Sequence, residues 1–203
     1  GKIMTSPYPV MKHFRNYGYV VRRKHFDFAL FKHIQGRPNI QILESFSVSG
    51  LLRDQTGVIG VEGKTGDQKT IRILSGHIVG ADGAHSKIAK QLGLFNNVAP
   101  HRAFAIRGYY QNVRNLSDAI EIHYDASVLP GYCWIFPTSA TSANVGVGVF
   151  NRFSDSKDAK KLFDLFIRHN PFARDKLKDA QLESGLKGFP LPLGSFRSQR
   201  SKE

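Results

Sequence analysis

The segment Ile78-Val79-Gly80-Ala81-Asp82-Gly83-Ala84-His85-Ser86 carries an acid and two glycines from an apolar run into the start of a helix. Glycine lets a backbone approach a ligand closely, and a helix start offers free amides and a favourable dipole to phosphate. Asp82 can accept from a ribose hydroxyl or position water. A dinucleotide suits this chemistry, with Gly80, Asp82, Gly83 and Ser86 as the binding candidates. The same residues also fit a plain strand-to-helix turn in which Asp82 and Ser86 cap the helix. Upstream, Arg23 presents a rigid fork of donors suited to phosphate, or, together with Arg22, simple surface charge. In Pro130-Gly131-Tyr132-Cys133-Trp134-Ile135-Phe136-Pro137, the residues Tyr132, Trp134 and Phe136 alternate, so on a strand they share one face. Such an aromatic wall suits a long apolar ligand or fills a sheet core. Cys133 falls on the opposite face and reads as a small buried hydrophobe. His85 and His123 read as polar loop or sheet residues, and no residue is assigned as catalytic. The eight histidines are scattered and the single cysteine has no partner, so no metal framework is expected.

These residues need elements to hold them. Residues 19–21 read as a short strand, followed by a helix from 25 to 33, with apolar residues Phe26, Ala29, Leu30 and Ile34 recurring at helical spacing. Phe26 and Leu30 are expected to pack, with Asp27 capping. Gly36-Arg37-Pro38 ends that helix. Runs at 40–43, 46–52, 58–62 and 70–74, separated by turn residues, predict a small antiparallel sheet. Residues 77–80 predict a further strand and 86–92 a helix. Beyond Leu94, longer runs at 103–110, 120–124, 132–136 and 144–150 predict a second antiparallel sheet. Residues 158–169 form an amphipathic helix that Pro171 closes, and 198–203 read as a polar tail.

At 203 residues, with 41% hydrophobic and 22% charged residues, the chain can bury a real core in one large or two small domains. It holds no run of about 18 apolar residues of the kind that spans a bilayer. A lone cysteine suits a reducing compartment such as the cytoplasm. The net charge of +13 points to anionic partners such as phosphates, diphosphate-bearing substrates or acidic lipid head groups. The densest cluster, Arg22, Arg23, Lys24 and His25, is too short for a basic arm, which makes nucleic acid the weaker choice.

Taken in order, the motifs resemble those of the geranylgeranyl reductase family of FAD-dependent oxidoreductases, relatives of the flavoprotein hydroxylases. The Asp82-Gly83 segment resembles the Asp-Gly motif that contacts FAD in both groups. Arg23, then two residues, then Phe26-Asp27 and Leu30, resembles an arginine motif that precedes it. Tyr132, Trp134 and Phe136 before Pro137 resemble a Tyr-x-Trp-x-Phe-Pro signature specific to the reductases, and residues 188–194 resemble their stretch leading back toward the flavin. The resemblance implies an α/β fold: a partial FAD/NAD(P)-binding, Rossmann-like domain over 1–94 and an antiparallel-sheet substrate domain over 95–203. It also implies FAD as cofactor, NAD(P)H as an electron donor, and reduction of the double bonds of an isoprenoid lipid, with peripheral membrane contact and Tyr132, Trp134 and Phe136 lining the substrate site. Two features depart from the pattern: no Gly-x-Gly-x-x-Gly precedes Tyr19 and no Gly-Asp follows Gly194. The chain is therefore expected to be the middle part of such an enzyme, inactive alone. Thr138 stands where archaeal members often carry lysine. An FAD-dependent aromatic or ubiquinone-type monooxygenase and a non-catalytic basic binding module are the alternative readings.

Overall fold

A computed structural model describes residues 2–94, 102–150 and 156–193. The fold is α/β, with helices set against two antiparallel sheets. Helix α1, Arg23–Ile34, leads into a three-stranded sheet of β1 Ser47–Asp54, β2 Gly57–Lys64 and β3 Thr70–Leu74 in sequential order. A 3-10 turn, Gly83–His85, and the short α2, Lys87–Gln91, follow. The second sheet holds β4 Arg102–Gln111, β5 Glu121–His123, β6 Tyr132–Pro137, β7 Ala143–Phe150, β8 Gln181–Leu182 and β9 Lys187–Pro192. Its order is β5-β6-β7-β4-β8, with β9 also pairing with β4. Helices α3, Ser156–His169, and α4, Pro171–Lys176, lie between β7 and β8 in the chain.

The core lies on one face of this larger sheet. Ala143, Val145, Val147 and Val149 alternate along β7 and are all buried, and Ile106 joins them from β4. Helix α3 covers them with Ala159, Phe163 and Phe166, supported by Leu162 and Ile167, the apolar stripe its spacing predicts. Pro171 closes α3 as expected but also opens α4, because Asn170 Oδ1 accepts from the amides of Phe172 and Ala173 at 3.1 Å each.

Three expected strands are absent. Residues 19–21, 40–43 and 77–80 are extended or irregular, and no described strand pairs with any of them. An apolar run becomes a strand only when a neighbour supplies a hydrogen-bond ladder. Without one, Tyr19 and Val79 stay 78% and 89% exposed. Helix α1 begins at Arg23, two residues earlier than expected, and buries nothing. Phe26 and Leu30 are 48% and 55% exposed, so neither joins the core. Asp27 pairs with Arg23 and caps nothing. Strand β9 was hidden in sequence because Pro190 and Pro192 break its pattern, and it occupies the sheet edge that tolerates proline. Residues 95–101, beside the expected domain boundary, Gly194 and the tail 198–203 lie outside the described residues.

Candidate functional site

The Asp82 turn is built around a cap. The Asp82 carboxylate accepts from Ser86 Oγ and from the amides of Lys87 at 2.7 Å and Ile88 at 3.3 Å. Ser86 Oγ in turn accepts from Ala89 N at 2.9 Å. Partial burial raises the Asp82 pKa, but the bonds from Ser86 and the backbone outweigh it and hold the group below the ordinary carboxylate value. The first amides of α2 are thus engaged within the protein. The two glycines do different work. Gly83 sits at φ +80 with nothing within 4 Å of where a Cβ would stand, so its backbone faces open space. A Cβ on Gly80 would press on Ile88 at 3.1 Å, so glycine there lets α2 pack against the incoming chain. A cleft of about 330 Å³ opens here, bordered by Gly80, Ser86, Ile88 and His77.

Arg23 is engaged on its own helix. Its side chain is 74% exposed and pairs with Asp27 one helical turn on. No hydrogen bond, ion pair or ring contact among the described residues joins it to Asp82. Its neighbour Arg22 makes the tertiary contact, donating to Glu183 at 2.7 Å through Nη1 and again through Nη2. The hydrogen bond to Glu183 raises the Arg22 pKa, and the same bond lowers that of Glu183. Arg22 also lies 4.8 Å from the centre of the Tyr109 ring, and so does Arg107. No local pattern signals this arrangement, because Tyr109, Arg107 and Glu183 belong to no motif.

The structure places Tyr132, Trp134 and Phe136 together on the face of the larger sheet opposite α3. Their rings form a ladder with centroids 5.8 Å and 5.9 Å apart. Cys133 and Ile135, between them in sequence, are fully buried on the α3 side. Burial pushes the Cys133 thiol up to about 12, with Asp125 adding to the rise, so it is not a nucleophile. The Trp134 indole donates to Asn144 Oδ1 at 2.7 Å and lies over Gly146, where a Cβ would stand 2.2 Å from its ring. Cross-strand register puts Gly146, Gly148 and Ala105 on the same face, giving a floor with almost no side chains. On its far side stand Phe189 and Leu191 of β9, 59% and 44% exposed.

The turn and this face meet. The His85 ring lies 6.0 Å from that of Phe189. A second cleft, about 490 Å³, lies at the other end of the aromatic ladder, between residues 18–20 and 137–140. Thr138 borders it, and its Oγ1 is buried without a hydrogen-bond partner. His123 sits among Phe166 and Phe172 on the core side, away from the open face, and is 3.5 Å from Glu121.

Residues 15–127 match the family model described as FAD binding domain, and residues 103–186 match the geranylgeranyl reductase catalytic domain. The chain is 31% identical over 156 residues to digeranylgeranylglycerophospholipid reductase 1 of Methanococcoides burtonii, covering 75% of this chain and 38% of the relative. It is 28% identical over 178 residues to digeranylgeranylglycerophospholipid reductase 2 of Methanopyrus kandleri, covering 86% of this chain and 44% of the relative. The chain thus spans less than half the length of these curated relatives. Among solved structures, a geranylgeranyl bacteriochlorophyll reductase-like protein from Thermoplasma acidophilum superposes with a TM-score of 0.78 at 22% identity, over 92% of this chain and 46% of that one. A myxobacterial chondrochloren halogenase superposes at 0.68 with 21% identity, over 86% of this chain and 41% of that one. These two likenesses show the fold.

Proposed function

The chain belongs to the FAD binding domain family, with the geranylgeranyl reductase catalytic domain over residues 103–186, and from that premise we propose that it forms part of an FAD-dependent reductase acting on the double bonds of isoprenoid lipids. The observation that carries this reading is the meeting of two unlike surfaces. A glycine turn with open backbone at Gly83 abuts, through His85 and Phe189, an apolar sheet face with a glycine floor and an aromatic ladder.

The residues fit the cofactor. Gly83 leaves a space that any side chain would enter, Gly80 lets the turn lie close to α2, and Arg23 carries an exposed guanidinium. Asp82 and Ser86 keep the turn in shape by capping α2, so their contribution is to position the Gly83 backbone. FAD, when bound, supplies the two electrons of a double-bond reduction as hydride. The remaining work is positioning. Tyr132, Trp134 and Phe136 offer contiguous aromatic surface to a polyprenyl chain, and the glycine floor lets the indole lie flat on the sheet beneath it. NAD(P)H is the electron donor in this reading.

Anaerobic incubation of the enzyme with FAD, dithionite and a geranylgeranyl lipid tests the reading by mass spectrometry. The expected product gains two hydrogens for each double bond reduced. A product that forms only in air and gains an oxygen atom would move the assignment to the monooxygenase alternative.

A further inference from the structure

We propose that Arg107, with Lys187 beside it, anchors the phosphate of a phosphorylated isoprenoid whose chain runs over the Trp134 and Phe189 face; this rests on the isoprenoid reading above. The register puts Trp134, Gly146, Arg107 and Lys187 in one row across four strands on the open face. Residues directly opposite on antiparallel strands have close side chains, and like charges there repel. Arg107 and Lys187 are such a pair. Among the described residues, no carboxylate forms an ion pair with either of them. Arg22 gives the contrast: it meets the same Tyr109 ring at the same 4.8 Å, yet Glu183 neutralises it. Among the described residues, the fold therefore supplies one counter-ion for the two guanidinium groups on that ring.

Arg107 is also held in place. It is half-buried and stacked on Tyr109, so less side-chain freedom is lost when an anion binds. A rigid guanidinium fork next to a mobile ammonium suits a multiply charged phosphate better than a single carboxylate. Between Arg107 and the Trp134 backbone lies one strand, represented by Gly146, whose missing side chain lets the indole lie across it toward Arg107. The two strand spacings from β4 to β6 come to roughly 10 Å. A ligand with its phosphate at Arg107 can thus lay an apolar chain against the indole without crossing another charged group. Because the row joins Arg107 to the aromatic ladder and not to the Asp82 turn, the phosphate is assigned to the substrate and not to FAD.

The chain has one tryptophan, so Trp134 emission reports binding at this face. The experiment titrates the chain, Arg107→Met, Arg107→Lys and Lys187→Met with geranylgeranyl phosphate, geranylgeraniol and FAD, and records a thermal melt of each variant. Geranylgeranyl phosphate should bind the unmodified chain about 10- to 100-fold more tightly than the alcohol, the scale of charge-assisted hydrogen bonds. Arg107→Met should remove that advantage and leave alcohol and FAD binding unchanged. Arg107→Lys should restore part of it, and Lys187→Met should cost less than Arg107→Met. If the advantage persists in Arg107→Met, or if that variant weakens FAD alone, the assignment is wrong. Should Arg107→Met lack a cooperative melt, the exposed Lys187→Met decides, and an undiminished phosphate advantage there overturns the proposal. Equal binding of phosphate and alcohol by the unmodified chain overturns this proposal and leaves the isoprenoid reading standing. Binding of neither overturns both.

Discussion

The two faces of the larger sheet are made by the same strands and have opposite characters. Toward α3, β6 offers Cys133 and Ile135 and β7 offers four buried aliphatic or small residues, closed by Phe163 and Phe166. Away from α3, the same β6 offers three aromatic rings, and β7 replies with Asn144, Gly146 and Gly148. Both faces carry large apolar side chains, so hydrophobicity alone does not separate them, although the open one also carries Arg107 and Lys187. What separates them is whether a helix covers the residues and whether side chains fill the volume. The covered face is interdigitated as a core is. The open face alternates large rings with bare backbone, so the Trp134 indole lies flat on the sheet with no helix over it.

The sharpest way to break this contrast is to compare truncations on its two sides. Phe163→Ala removes a ring that is 1% exposed and should cost about 3–5 kcal/mol in urea unfolding. Gly146→Ala tests the floor. Its new Cβ would meet the Trp134 ring at 2.2 Å and the Ile106 carbonyl oxygen at 2.7 Å, so a loss of about 1–3 kcal/mol is expected, with a shift in tryptophan emission. Unchanged emission would show that the ring does not rest on Gly146. Trp134→Ala should cost less than Phe163→Ala, under about 2 kcal/mol, because its ring is only partly covered and falls short of the full buried-aromatic penalty. Its larger effect should appear as weaker binding or turnover of isoprenoid with flavin content unchanged. A stability loss equal to that of Phe163→Ala would erase the distinction between the faces. Arg23→Ala is expected to do least: an exposed pair with Asp27 adds little to folding. Its melting temperature should match that of the parent chain, so any fall in FAD affinity measured by flavin fluorescence reports a ligand contact.

Local pattern carried most of the elements. The period-two runs gave β1, β2, β3, β4, β5, β6 and β7, and the stripe from Ala159 to Ile167 gave α3 and its buried side. The alternation of residues 132–136 was enough to put Cys133 and Trp134 on opposite faces, as observed. The runs at 19–21, 40–43 and 77–80 show the limit of that method. Their composition suits strands, but strand formation depends on a partner that local sequence does not reveal. Strand β9 shows the converse, since pairing with β4 makes a strand of a stretch with two prolines.

The amino-acid sequence by itself determined which residues have the chemistry for a cofactor turn and an aromatic wall, because glycine freedom, helix capping and strand alternation act within a few residues. Tertiary structure alone decided that Arg22, and not Arg23, reaches the sheet, and that the Asp82 turn touches the aromatic face through His85 and Phe189. It alone left Arg107 beside Lys187 without a counter-ion among the described residues. Those facts depend on residues far apart in the chain, brought together by strand register and burial, which no short-range pattern encodes.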